Sequence, residues 1–530
     1  MLRLMTEKKK RISAIIFGAL FACVNLAGLF LSGDGAVSGE EYVFLAVGTI
    51  LGALFIGEIY LRIESLTDRT KIQKNGSASE KCFSNLKYFL ICTAVLCLAY
   101  LPVFLAYYPG LFAYDVDTQI PQYLEGYSKH HNLIHTLYLH FFYYIIGRNL
   151  LNNYTAGIAW ASVVQMVLFS AMISYVHTFL RKVRVNVNVR VLLIVLSALL
   201  PFFSVLSISM TKDVLFAGFT GMLFVGLYYW DLDEDYYKKT INQIIYMVSV
   251  MGTILFRNNG IYAVLFALSM GIILFVFKKR NYRFLISTIL GMVLATMITS
   301  GMAKSLSAVN GSQNEMLSVP YQQLAYVYHQ EELTDEEKAE IERFLPDVNN
   351  YKPYISDPIK ANAQGAYHKK QLVMCYLKLF VKYPVEYVEA FLLNNMGYFY
   401  VGDITHAEIY GADLEERSGY LLTDTKEGFG VEHKSYLEKL ENLYETLFSA
   451  NQYQKILPLA VLCAPAVYFW IIILLFFYAI DLKKQCWTQF AFLFGLILTI
   501  LAGPCSLIRY ALPYIVCIPV LGAAVLKNEK

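Results

Sequence analysis

Residues 86–108 read LKYFLICTAVLCLAYLPVFLAYY. Lys87 is the one charged residue in this run. A helix crosses the hydrocarbon core of a bilayer in about 20 apolar residues, because each backbone polar group must find its partner inside the segment. This run is long enough, and similar runs lie at 11–32, 41–62, 154–180, 190–209, 213–230, 241–256, 260–277, 283–303, 456–480, 486–502 and 507–526. Together they predict an all-α polytopic membrane protein of about twelve transmembrane helices. Composition agrees: 57% of residues are hydrophobic and 16% charged, with mean hydropathy +0.46. Soluble proteins carry about 25% charged residues. A Lys/Arg-rich block interleaved with aromatics is missing, which argues against a nucleic-acid partner.

Basic loops set the orientation. Lys8, Lys9, Lys10 and Arg11 precede the first run, and Arg62, Arg69, Lys71, Lys74 and Lys81 follow the second. Arg181, Lys182, Arg184 and Arg190, then Lys278, Lys279, Arg280 and Arg283, then Lys483 and Lys484, mark later loops. Cytoplasmic loops carry the excess of Lys and Arg. The expectation is a bacterial cytoplasmic membrane protein with both termini inside and these loops cytoplasmic. The apolar stretch 135–146 must then not cross, and its length suits an interfacial or re-entrant helix. The N-terminal run continues too far for a cleaved leader and reads as a signal anchor.

The resulting organisation is an added hairpin (1–62), a cytoplasmic linker (63–85) holding Asn75-Gly76-Ser77, and a core (86–303) with a first outer loop at 109–153. An outer segment (304–455) and C-terminal transmembrane helices (456–530) follow. Gly48, Gly52 and Gly57 predict close helix contact in the hairpin. In the outer segment, Thr334-Asp335-Glu336-Glu337 reads as a capping box opening a helix that Pro346 ends. Leu372, Tyr376, Leu379 and Phe380 recur at helical spacing, and Pro384 sits where another helix would start. A mostly helical domain resting on the membrane surface is expected. The chain has nine cysteines. Of these, Cys375 alone falls in the large outer segment, so no disulfide framework is expected.

Candidate chemistry gathers on the outer face. The first outer loop carries Tyr108-Pro109-Gly110-Leu111-Phe112-Ala113-Tyr114-Asp115, then Asp117, Gln119, and His131 to Thr136. Outer turns carry Met210-Thr211-Lys212-Asp213, Arg257-Asn258-Asn259-Gly260 and Arg509-Tyr510-Ala511-Leu512-Pro513. Charge at a membrane boundary is costly and usually lines a cavity or pathway. A carboxylate can take the proton of an attacking hydroxyl, and Arg and Lys can stabilise charge on a departing phosphate. Plainer readings stand beside these. Asp115 suits a helix cap or a loop ion pair, Asp117 a solvated group, and Lys212-Asp213 a local pair. Arg257 and Arg509 suit anchors to lipid phosphate. His131 and His135, four apart, suit one metal, but a zinc site usually takes three protein ligands. The sequence shows neither repeated halves nor helices broken at mid-membrane, the marks of a transporter.

At these motifs, and at Val319-Pro320-Tyr321-Gln322-Gln323, the sequence resembles the GT-C class of integral membrane glycosyltransferases. More narrowly it resembles a bacterial family of polytopic proteins grouped near that class. The resemblance runs from about residue 100 to the end and leaves the first hairpin outside. It implies a GT-C-like core with membrane-lying helices in the first outer loop. It also implies an essential acidic residue there, which falls on Asp115, a polyprenyl-phosphate sugar donor and inversion at the anomeric carbon. Lys212, Arg257 and Arg509 would hold the phosphate. Asp213, Asn258, Tyr510, Gln119, Asp117, His131 and His135 would line the site, and Gln322 and Gln323 would help cover it. The acceptor would be a cell-envelope glycan, lipid or protein. No cofactor is required by this reading, although a divalent cation is compatible with it. A transporter or flippase of lipid-linked or anionic glycan, and a glycan polymerase or ligase, are the alternatives.

Overall fold

The computed structural model describes residues 2–34, 36–69, 84–112, 114–233, 235–278, 282–402 and 428–526. Asn75-Gly76-Ser77 with Lys71, Lys74 and Lys81, the loop cations Lys279 and Arg280, Ala113, and 403–427 of the outer segment lie outside these residues. Among the described residues the chain is all α-helical apart from isolated bridges.

Two long helices, α1 (Leu2–Asp34) and α2 (Gly39–Arg69), form the expected hairpin. Their backbones approach closely: a Cβ on Gly52 would lie 2.3 Å from that of Ala22. Next comes α3 (Asn85–Ala106), whose first turn is capped by the Ser84 side chain accepting from the Lys87 amide. The loop expected to be outer (the first outer loop) folds into α4 (Val116–Gln119), α5 (Gln122–Glu125) and α6 (Leu133–His140). A π-helix, Phe141–Leu150, extends α6, so the predicted short helix is longer than its apolar core. Core helices follow: α7 (Tyr154–Lys182), α8 (Val187–Leu199), α9 (Pro201–Ser207), α10 (Lys212–Leu232), α11 (Thr240–Phe256), α12 (Gly260–Lys278) and α13 (Arg283–Ser305). The segment expected to be outer (the outer segment) holds α14 (Ser318–Gln330), α15 (Asp335–Phe344), α16 (Asp357–Lys360), α17 (Lys369–Lys382), α18 (Pro384–Asn394), α19 (Met396–Phe399) and α20 (Glu438–Phe448). The chain closes with α21 (Leu457–Cys463), α22 (Pro465–Asp481), α23 (Trp487–Leu501) and α24 (Ile508–Leu526).

All twelve apolar runs are helical, but they are not equal. Eight described helices are long and apolar enough to cross a membrane, or ten if each bent pair counts once. The chain is thus an all-α, multi-pass membrane protein. Thr240–Phe256 and Trp487–Leu501 are shorter apolar helices. The runs at 190–209 and 456–480 are each broken, by 55° between α8 and α9 and by 60° between α21 and α22. This corrects the expectation of unbroken helices. Pro201 and Pro465 open the second helix of each pair, and the residues before them, Leu200 and Ala464, are extended (ψ 123° and 120°). Proline's ring excludes the helical region for its predecessor, so hydropathy runs on while the helix does not.

Central to the bundle is α10, buried along most of its length against α7, α11, α23 and α24. Its C-terminal end, where Asp231 faces the amides of Thr488 and Gln489, meets the basic loops. There Lys278 donates to Gln485 Oε1 (2.9 Å) and Arg283 to the Lys238 carbonyl (3.1 Å). Its N-terminal end meets the first outer loop. The outer segment has its own apolar core, including Tyr321, Leu324, Ile341, Phe344, Leu372 and Leu379. The predicted capping box is present, with the Thr334 and Glu337 side chains each accepting from the other's backbone amide. Glu389 on α18 joins this domain to the hairpin, accepting from the Val37 amide (3.1 Å), Tyr42 Oη (3.0 Å) and Tyr326 Oη (2.8 Å).

Candidate functional site

The first outer loop is strapped across the turn that opens α10. Leu111 donates its amide to the Ile208 carbonyl and Met210 donates back to the Leu111 carbonyl, each at 3.0 Å. Gln165 on α7 holds that turn, donating to the Ser207 (3.0 Å) and Ser209 (2.7 Å) carbonyls. Gly110 makes the crossing possible. Its φ of +115° favours glycine, and a Cβ there would lie 2.0 Å from Ser162 Oγ and 2.9 Å from the Ile208 carbonyl oxygen. Gly110→Ala is therefore expected to destabilise the protein by about 1–3 kcal/mol. Thermal unfolding in detergent checks this, since a midpoint unchanged from wild type would mean the crossing relaxes freely.

This strap brings Asp115 to Lys212. The Lys212 ammonium donates to Asp115 Oδ2 at 2.6 Å and to His131 Nδ1 at 3.2 Å. Thr118 donates its single hydroxyl proton to the Asp115 carbonyl (2.9 Å), so its oxygen accepts from His131 Nε2–H (2.9 Å). His131 is thereby a neutral ring that accepts from Lys212 at Nδ1. Asp115 is the residue before α4 but makes no side-chain cap, so its carboxylate is an ion-pair partner and not a helix cap. Its side chain is 26% exposed. Burial pushes the Asp115 carboxyl up, but the charges of Lys212 and Arg509 and the Lys212 hydrogen bond hold it well below the usual carboxylate range.

Asp213, the next residue, turns to the opposite side. It is fully buried and pairs with the Arg257 guanidinium, while Arg509 Nη1 lies 3.5 Å from its Oδ2. Lys212 and Asp213 are thus not a local pair, and neither arginine is only a lipid anchor. Thr211 Oγ1 donates to Asp213 Oδ2 (3.1 Å) and sits 3.4 Å from Arg509 Nη1. Arg509 donates to Tyr510 Oη (2.9 Å). Aromatic faces cover both cations. Arg257 stands 4.5 Å over the Tyr510 ring, and Arg509 stands 4.2 Å over Tyr114 and 4.7 Å over Tyr510. Arginine over a ring gains roughly 0.5–2 kcal/mol.

Not every expected residue faces this cluster. Asn258 accepts from Asn132 Nδ2 (2.8 Å) and so fixes the start of α6. Gln119 donates to Thr136 Oγ1 (2.9 Å), leaving its Oε1 to accept from His135 Nδ1 (3.1 Å). That leaves His135 Nε2 as an unprotonated acceptor, buried and, among the described residues, without a hydrogen-bond partner. His131 and His135 therefore serve different neighbours. Asp117 is half-buried in the first turn of α4, and Lys212 takes Asp115 instead.

Gln322 and Gln323 belong to the interior of the outer domain. Gln322 donates to the Lys352 carbonyl (2.9 Å) and Asn394 Oδ1 (3.3 Å), and Gln323 to the Tyr387 carbonyl (2.9 Å). Their influence is indirect. Asn394 donates to the Gly503 carbonyl (3.1 Å), Ser356 donates its amide to the Pro504 carbonyl (2.9 Å), and Tyr398 Oη accepts from the Leu507 amide (3.2 Å). The outer domain thus clasps the turn that carries Arg509. Gln165 is a site residue that the sequence reading passed over, and Tyr114, Thr211 and Asn132 stood in its motifs without an assigned role. Thr211 had a readable signal as a Thr at a helix N-cap.

Among the described residues no three His, Cys, Asp or Glu side chains gather to hold a metal. Asp115 already faces Lys212, and Asp213 already faces two guanidiniums. Donors so neutralised do not suit a divalent cation.

Burial, and then Lys212, depress both His131 and His135 to about 3. The unfolded chain takes up these protons near pH 6.5, so each ring costs stability as pH falls from about 6.5 towards 3. Asp115 acts later: its contribution is complete above about pH 4 and is lost as pH falls through its depressed folded value. The unfolding midpoint is therefore expected to drop between pH 6.5 and 4, and the pair of substitutions His131→Asn and His135→Asn to flatten that drop. An equal drop in both proteins would assign the acid sensitivity elsewhere.

The family of unknown function DUF6020 matches residues 113–530. The chain belongs to this family. The DUF6020 region contains the whole cluster from Asp115 to Tyr510 and leaves α1, α2 and α3 outside. Comparison with curated proteins and with solved structures gives no match.

Proposed function

We propose that this protein is a GT-C-type glycosyltransferase that moves a sugar from a polyprenyl-phosphate donor to a cell-envelope acceptor. In this reading it lies in the bacterial cytoplasmic membrane with about twelve spans, its basic loops and termini inside and the charged cluster outside. One observation carries the proposal. At one end of the bundle, an ionised carboxylate held by a lysine, Asp115, stands beside a second group of two arginines on Asp213. The donor phosphate sits against Lys212, Arg257 and Arg509, and the lipid chain runs between helices. Asp115 takes the proton of the acceptor hydroxyl as its oxygen attacks the anomeric carbon. The bond from that carbon to the phosphate oxygen breaks, and polyprenyl phosphate leaves with the electron pair, so the centre inverts. His135 Nε2 accepts from a substrate hydroxyl. Sugar transfer from a panel of polyprenyl-phosphate sugars to envelope fractions, by purified protein in lipid, tests the reading. Product absent across a panel that a known enzyme of this kind turns over would count against it.

The broken pairs α8–α9 and α21–α22 favour a second reading, a transporter or flippase, since transporters use discontinuous helices. Its mark would be movement of lipid-linked glycan across sealed vesicles without a new glycosidic bond.

A further inference from the structure

Helix α17 has two apolar faces. Leu372, Cys375 and Leu379 are buried in the outer domain's core. Val373, Leu377 and Val381, at i, i+4 and i+8, form a second stripe, with Met374 and Phe380 beside it. These five are exposed, from 43% at Phe380 to 80% at Val381. Lys378 and Lys382, which face Glu337, separate the two faces, and Lys369 and Lys370 stand exposed at the start of the helix. At 14 residues, α17 is about 21 Å long and too short to cross a bilayer. A contiguous apolar stripe of this kind on a polar domain marks a contact surface.

Its neighbours supply the contact. Tyr383 alone separates α17 from α18, where Val385 and Val388 continue the exposed stripe. Helix α18 packs on α1, and its Glu389 accepts from the turn between α1 and α2. Beyond α18 the chain descends beside the membrane helices. Trp470 of α22 donates to the Phe399 carbonyl (2.8 Å), and the Val401 amide donates to Asn25 Oδ1 (2.9 Å). Asn25 lies inside the candidate span Lys8–Gly33, roughly 13 Å below the end of α1 at 1.5 Å per residue. The polypeptide after α18 is therefore at bilayer depth, and α17 is one residue from the helix that leads there.

We propose that α17 and the first turns of α18 lie in the boundary layer of the bilayer, with Val373, Met374, Leu377, Val381 and Val385 among the lipid headgroups and upper acyl chains. Lys369 and Lys370 reach the lipid phosphates from this position, as lysines flanking an interfacial helix do. The surface holds the outer domain against the membrane, and this holds whether or not the protein transfers sugars.

The test uses the full chain in vesicles of phosphatidylethanolamine and phosphatidylglycerol, with Leu377→Trp, and separately Val381→Trp, read against wild type. Both sites are exposed, so an indole fits without repacking. Glu336→Trp, on exposed α15, serves as the aqueous reference. Lipid brominated on the upper acyl carbons is expected to remove at least half of the added emission at 377 and 381, and aqueous iodide to remove it at 336 alone. Quenching by iodide and not by bromolipid at both sites would overturn the proposal. Protection from both quenchers would overturn it too, because a protein, either a second copy or a partner, would then cover the stripe.

Discussion

Asp115→Asn is expected to slow sugar transfer by roughly 10²–10⁴, the range that a positioned base contributes. The substitution keeps the shape of the side chain and an oxygen for Lys212, but removes the negative charge that the ammonium faces at 2.6 Å. Protein level and unfolding midpoint should therefore be measured beside the rate. Donor binding is expected to survive, since Arg257 and Arg509 remain on Asp213. With the carboxyl held well below its usual range, wild-type activity should show no loss from protonation of this group at mildly acid pH. Equal rates for wild type and variant at equal protein level would remove Asp115 as the base.

Asp213→Asn is expected to cost about 3–5 kcal/mol of stability, the usual effect of leaving buried charge unpaired. Asp213 is fully buried and is the carboxylate facing both Arg257 and Arg509. An amide in its place keeps a hydrogen-bond acceptor and loses the charge. Thermal unfolding of the purified protein reads the effect directly, and a midpoint within a degree of wild type would show that the guanidiniums find other compensation. Rescue by a second substitution, Arg257→Met, would confirm that uncompensated positive charge is the cause.

How far these groups could be read in advance depends on range. Lys212, Asp213, Arg257 and Arg509 stood out because charge at the end of an apolar run demands a reason. Their pairing did not, because Asp115 and Lys212 are 97 residues apart and meet only through the crossing at Gly110. The capping box at Thr334 and the helix start at Pro384 were local and came out as helix starts. Pro201 and Pro465 broke two apolar runs that hydropathy, which averages over a window, carries straight through. Gln322 and Gln323 show a different limit. A buried amide that ties helices together and one that binds a ligand have the same sequence signature, and only the partners, Lys352, Asn394 and Tyr387, tell them apart.

Consecutive residues of opposite sign at the start of α10 face partners of opposite sign in two directions. A slip of α10 by one residue turns it about 100° and would set a carboxylate against Asp115 or an ammonium against Arg257. Both contacts are repulsive. The dipeptide Lys212-Asp213 thus works as a key that accepts a single rotation of the central helix. Exchanging the two residues would leave composition, net charge and hydropathy untouched, and yet shut the lock.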